Sequence, residues 1–320
     1  MMKKGFTIIF LIFSTFGFVC LYTYTTLFWY YDLERIEFEV NETDIDDFAY
    51  WIQDIDKDEI EDSKYDLIII DYSADGSELE EFNKDDVKDM KSSGNKEKFL
   101  LSYISIGEAE SYRFYWNESW DINEDGIPEP TAPVFLDKEN PDWEGNYKVK
   151  YWDSKWQKII FSYIDRIILA DFDGIYMDII DAYEYYEEES IFEYHYDWLM
   201  IDFVVNISLY VKAKMGNDFL VFVQNGYELL ENSTYLNSID GIGQEDLFFD
   251  DDEITDEDWS DDVIDNLNKV LDEDKIVLVI DYTIEYKYDF YKNCIENGFL
   301  PYAAERDLDF INEFFFYPAT

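Results

Sequence analysis

The chain has 320 residues, of which 24 are Lys or Arg and 75 are Asp or Glu, for a formal net charge of -51 at pH 7, yet it is 48% hydrophobic and 20% aromatic. That composition excludes a disordered acidic tail, and a field of this sign repels phosphates, which excludes a nucleic-acid binder. Two distant cysteines, Cys20 and Cys294, and a lone His195 argue against a disulfide framework or a histidine-rich zinc site, so no cofactor or metal is expected and the chemistry falls to carboxylates, tyrosines and amides.

Taken in chain order, residues 1–34 read as a signal anchor and juxtamembrane segment. Lys3 and Lys4 precede an uncharged run from Gly5 to Tyr31, and Asp32 and Glu34 follow it. At about 1.5 Å per residue that run spans a hydrocarbon core of about 30 Å, and its flanking charges predict a cytoplasmic N-terminus with the rest exported. No Ala-x-Ala-like site closes it, so the reading is a single-pass membrane protein with its domain outside, or a secreted one if the segment is cleaved.

Residues 35–320 read as one domain. Short apolar runs at 49–54, 66–73, 99–106, 174–178, 219–225, 241–245, 276–282 and 300–304 alternate with helical patterns at 79–91, 155–169, 191–215, 259–271 and 288–296. Eight strands separated by helices within about 250 residues predict a (β/α)8 TIM barrel. No glycine-rich phosphate loop follows the first strand, which disfavours an open doubly wound sheet.

The connection from Glu110 to Tyr151 is long and carries Trp116, Trp120 and Trp143, with Trp152 just beyond. Such loops cover the catalytic face of barrels, and their tryptophans either stack on sugar rings or form a small core of their own. Within it, Asp121, Asn123, Asp125 and Gly126 look like the start of a calcium loop, but Ala132 stands where the closing glutamate belongs, so an Asp-Gly turn is the better reading. The acidic stretch 250–258 reads as solvated.

Barrel active sites lie at the C-terminal ends of the strands. The residues there are Gln53 and Asp54, Asp71, Glu108, Asp178, Asn225, Glu245, Asp281 and Glu305. Helix caps and acidic composition inflate such a set, and Asp71 and Asp281 fit either a cap or a ring-binding acid. Asp178 ends an apolar strand opened by the Asp173-Gly174 turn, and Glu245 follows Gly241-Ile242-Gly243-Gln244, whose glycines admit close approach of a ligand or backbone. Two carboxyls facing one another over a barrel mouth are what glycoside hydrolysis needs. At about 5 Å and an effective dielectric near 20 they repel by roughly 3 kcal/mol, enough to keep one protonated as an acid.

At these residues the sequence also resembles a known family. The segments 103–113, starting Tyr103-Ile-Ser-Ile-Gly107-Glu108, 140–152 around Trp143, 172–178 ending in Asp178, Gln224-Asn225-Gly226 and Gly243-Gln244-Glu245-Asp246 together resemble glycoside hydrolase family 114, the endo-α-1,4-polygalactosaminidase-like TIM barrels. The resemblance implies Asp178 as nucleophile and Glu245 as acid/base of a retaining enzyme, the inverting route staying open until their separation is known. Asp71, Tyr103, Glu108, Asn225, Asp281 and Tyr282 are the substrate-binding candidates. The expected partner is a polysaccharide, with a cationic amino-sugar polymer suited to the acidic surface. The alternative is a non-catalytic polysaccharide-binding or envelope barrel.

Overall fold

In the computed structural model, residues 45–93, 96–189 and 195–312 are described. The proposed anchor (5–31), the boundary near residue 35 and Cys20 all lie outside these residues. Among the described residues no helix is long and apolar enough to cross a membrane.

Eight parallel strands form one sheet: β1 Phe48–Trp51, β2 Leu67–Ile70, β3 Phe99–Ser105, β4 Gly174–Asp178, β5 Leu220–Gln224, β6 Gly241–Glu245, β7 Ile276–Asp281 and β8 Leu300–Ala303, each hydrogen-bonded to the next in chain order. The reason is legible in β2, Leu-Ile-Ile-Ile, which is buried at every position. A strand apolar on both faces must be covered on both, here by the barrel interior and an outer layer of helices. The ends of the sheet come together without a regular ladder. Ile52 and Gln53 donate their N–H groups to the Leu308 carbonyl at 3.1 and 3.2 Å, and the Phe48 and Tyr302 rings lie 5.6 Å apart.

The helices are α1 Lys57–Asp62, α2 Lys84–Lys91, α3 Ser154–Leu169, α4 Ala182–Glu189, α5 Tyr196–Met215, α6 Ser233–Ser238, α7 Glu257–Leu271 and α8 Lys287–Asn297. Their starts are set by side-chain caps: Asn83 and Asp86 form a reciprocal capping box on α2, Asp153 accepts from Lys155 N at 2.7 Å on α3, and Asp256 accepts from Trp259 N at 3.1 Å on α7. Each buries one face; α7 does so with Val263, Leu267 and Val270, at the spacing of a helix stripe. Exposed His195 occupies the residue before α5, and Cys294 is buried in α8.

Three short helices were not expected: α1, α4 and α6. Nor was the content of the long connection after β3, where Glu108–Glu110, Asn146–Val149 and Leu136–Glu139 form an antiparallel three-stranded sheet at the barrel mouth.

Inside the barrel the glycine of β6 has a specific use. A Cβ on Gly243 would lie 1.8 Å from the Tyr176 hydroxyl, so the strand closes over that ring only because position 243 has no side chain. Tyr176 in turn packs against Tyr50, ring centroids 5.5 Å apart, and the two fill the barrel beneath the acids at the ends of β4 and β6.

Candidate active site

The last residue of β4 is Asp178 and the last of β6 is Glu245. One strand lies between them, so their backbones are about 10 Å apart at the usual strand spacing of about 4.8 Å. Asp178 accepts the Tyr103 hydroxyl at 2.8 Å on one oxygen and its neighbour's amide, Ile179 N, at 2.6 Å on the other. Glu245 accepts the Tyr282 hydroxyl and, at 3.0 Å, Asn225 Nδ2. The Asn225 amide is itself oriented, because its oxygen accepts Gln244 Nε2 and Glu245 N, both at 3.1 Å. Each acid therefore meets one phenol and one N–H donor, delivered by different strands.

The chain leaves these strands by a repeated device. Ile179, Asn225 and Asp246, the residues directly after β4, β5 and β6, all have left-handed φ, at 57°, 60° and 52°. Asn and Asp tolerate that region, whereas a β-branched residue there is strained. Gly107 makes room for the turn at Ile179: a Cβ on it would lie 2.2 Å from the Ile179 carbonyl oxygen.

A cavity of about 820 Å³ opens over both acids and also takes in Glu108, Trp143, Asp181 and Glu184. Burial, and next the charge of Glu245, push the Asp178 carboxyl well above the usual carboxylate range. Asp181 is pushed up to about 6 by burial and then by Glu245, and Glu184 to about 7 by burial and then by Asp181. Burial, with Asp178 second, also raises the Tyr103 phenol, which stays a donor across the neutral range. The negative charge of Glu245 thus disfavours a second charge on Asp178, which its Tyr103 and Ile179 donors partly offset.

Glu108, only 1% exposed, lines this cavity from the mouth sheet. One of its oxygens accepts Asn140 Nδ2 at 2.9 Å and Lys148 Nζ at 3.4 Å, while the other, Oε2, is buried without a partner. A carboxylate oxygen left in that state at a cavity wall is suited to a donor on a ligand. Trp143, 51% exposed, stands at the rim. The other tryptophans chose the second of the two expectations: Trp116 and Trp120 pack with one another and with Tyr147 and Phe135, and Trp152 packs with Tyr186 and Tyr196. Asp121 makes a turn, accepting from Asp125 N, Gly126 N and the Tyr147 hydroxyl.

Two expected ligand-binding acids are held by partners within the protein. Asp71 lines the cavity, but its oxygens accept Arg113 at 2.6 Å and Ser73 N at 3.0 Å, and Arg113 also pairs with Glu110 at 2.6 Å, so its charge is spent on that cation. Asp281, 0% exposed, accepts the backbone N–H groups of Leu247, Phe248 and Phe249, each at 2.9 Å, so it ties down the loop after β6. The acidic stretch 250–258 is likewise not simply solvated. Asp250 and Asp251 pair with Arg306, and Asp252 accepts the Thr283 hydroxyl and the amides of Ile284 and Glu285. Glu305 is exposed and outside the cavity.

Tyr50, Asp181 and Glu184 were not singled out from the sequence, and Arg113 and Gln224 entered only within the family-like motifs, with no role of their own. Tyr50 donates to Gln224 Oε1 at 3.0 Å, closing the barrel floor from β1 to β5. For Arg113 a usable signal existed, a single cation between Glu110 and a run of aromatics.

Three comparisons bear on this geometry. The family model for glycoside-hydrolase family GH114 matches residues 38–319. An uncharacterised protein of Methanocaldococcus jannaschii is 41% identical over 279 residues, 83% of this chain and 78% of that protein, and one of Thermotoga maritima is 35% identical over 276 residues, 82% of each. Among solved structures, the glycoside hydrolase domain of PelA from Pseudomonas aeruginosa superposes with a TM-score of 0.62, covering 83% of this chain and 96% of that one. Aspergillus fumigatus Ega3 in complex with galactosamine gives 0.60, covering 86% and 97%. Both are 13% identical and speak to the fold alone.

Proposed function

Since the chain belongs to glycoside-hydrolase family GH114, we propose that this glycoside hydrolase cleaves an amino-sugar polysaccharide, polygalactosaminidase-like, with Asp178 and Glu245 as its two working carboxyls. The observation that carries this is the pair itself, two acids at the ends of β4 and β6 opening on one cavity, each held by a tyrosine hydroxyl and an N–H. In the retaining reading Asp178 attacks the anomeric carbon while Glu245 gives its proton to the leaving oxygen, then takes one from water as that water releases the sugar from Asp178. The Tyr103 and Ile179 donors favour the charged form of Asp178, as a nucleophile requires.

One observation favours exchanging the roles: burial and Glu245 push Asp178 upward, toward holding the proton itself. External azide separates the two. With an activated glycoside, Asp178→Ala should yield a glycosyl azide of inverted configuration and Glu245→Ala a retained one; the opposite pattern exchanges the roles. An inverting enzyme makes no covalent glycosyl-enzyme, which mass spectrometry of a slow substrate would reveal.

An amino-sugar substrate fits the carboxylates of Glu108, Asp181 and Glu184 around the cavity, since each protonated amine meets negative charge. The galactosamine held by Ega3 supports the same class. The uncharged run from Gly5 to Tyr31 would tether the enzyme to a membrane with its barrel outside. Full-length protein in detergent should release reducing ends from partly deacetylated galactosamine polymer, and Asp178→Asn and Glu245→Gln should each stop it. Undiminished release by both variants overturns the assignment of these two acids, and no release by wild type leaves a barrel that binds polysaccharide without cleaving it. A C-terminal tag inaccessible on intact cells would overturn the orientation.

A further inference from the structure

Beside the main cavity lies a second one of about 360 Å³, within the size range of small-molecule sites, roughly 300 to 1,000 Å³. It shares Asp181, Glu184, Asn225 and Glu245 with the first but takes in neither Asp178 nor Tyr103. Its own wall is aromatic. Tyr227, directly after Gly226, and Trp259, in the first turn of α7, meet edge to face with ring centroids 6.1 Å apart. Both rings are half-buried. Their backbones are fixed: Trp259 N is bonded to the Asp256 cap, and left-handed Gly226 turns the chain against Ile180, where a Cβ would lie 2.7 Å from the Ile180 side chain.

We infer that this second cavity holds the sugars on the leaving-group side of the cleaved bond, with Trp259 and Tyr227 as their platform. The inference rests on Glu245 being the proton donor. A donor contacts the glycosidic oxygen, so the chain must pass it, and Glu245 is the carboxyl of the working pair that both cavities share. Sugars attached to the attacked carbon then occupy the cavity of Asp178, Glu108 and Trp143. Those beyond the oxygen pass over Asn225 and Glu245 onto the two rings, whose apolar faces suit the C–H face of a pyranose. Two cavities that meet at Asp181, Glu184, Asn225 and Glu245 would together admit the interior of a chain.

The test uses full-length enzyme and a length series of galactosamine oligosaccharides, reading kcat/KM and the position of each cut. Wild type should gain in kcat/KM as units are added on the leaving-group side, and Trp259→Ala should lose that gain, about tenfold, while Trp259→Phe keeps most of it. In Trp259→Ala the preferred cut should also move toward the reducing end of the intact oligosaccharide. Trp143→Ala should instead alter the gain from units added on the other side. Equal gains in Trp259→Ala and wild type overturn the inference and leave the functional proposal standing. Failure of wild type to cut any oligosaccharide or polymer of the series overturns both.

Discussion

Asp71 and Asp281 end β2 and β7 as Asp178 and Glu245 end β4 and β6, and the first two even share a local pattern, Ile-Ile-Asp71-Tyr72-Ser73 against Val-Ile-Asp281-Tyr282-Thr283. Their circumstances diverge. Asp71 is neutralised by the Arg113 guanidinium and also accepts Ser73 N, and three backbone amides hold Asp281 at 0% exposure. Asp178 and Glu245 also line the cavity and have partners, but only neutral ones, a phenol and an N–H each. Position at a strand end supplies candidates; what the neighbouring loops donate decides whether a carboxylate braces the fold or faces a substrate. The two tyrosines make the same point, since Tyr72 packs edge-on against Tyr163 while Tyr282 donates to Glu245.

The sharpest way to break this contrast is to neutralise each acid in turn. Asp178→Asn and Glu245→Gln should each lower kcat by about 10³-fold or more, with a melting temperature equal to or above wild type, because a buried like-charge repulsion is removed. A folded, fully active Asp178→Asn would erase the distinction. On the structural side, Arg113→Met strands Asp71 and Glu110 without their cation and should cost about 3–5 kcal/mol in urea denaturation. Adding Asp71→Asn and Glu110→Gln to it should recover much of that loss. Asp281→Asn keeps the shape but weakens the anchoring of residues 247–249, and should cost about 1–3 kcal/mol while lowering kcat far less than Glu245→Gln does.

The smallest effect is the most specific. Burial and the charge of Glu245 both hold the Asp178 carboxyl up, and Glu245→Gln removes the second cause. Asp178 then ionises at lower pH, so the acidic limb of glycosyl-enzyme formation from a substrate with a good leaving group should move to lower pH. A limb that stays, or moves up, would separate the two acids electrically.

The barrel was legible because its strands are short, mostly apolar and spaced by amphipathic helices; seven lie within the expected stretches and β1 begins one residue earlier, at Phe48. The short helices were missed for a reason visible in α4, Ala-Tyr-Glu-Tyr-Tyr-Glu-Glu-Glu, where the burying residues are tyrosines in an acid-rich stretch rather than an aliphatic stripe. The mouth sheet was hidden because it pairs segments as far apart as Glu108 and Lys148 whose composition is that of loop. In the site, acids at strand ends could be read from position, and Asn225, Tyr103 and Tyr282 from their place beside them. Asp181, Glu184, Tyr227 and Trp259 come from turns and helix starts, and only the closed barrel sets where those point.

The backbone at Ile179 sets endurance against turnover. The left-handed turn that presents its amide to Asp178 is costly for a β-branched side chain, on the order of 1–3 kcal/mol, and the surrounding barrel holds it in place. Ile179→Gly should relieve that strain and raise resistance to urea while letting the Asp178 carboxyl wander, so kcat should fall as stability rises. A laboratory selection for heat tolerance alone would therefore drift toward glycine at this position, and would erode the enzyme by improving the protein.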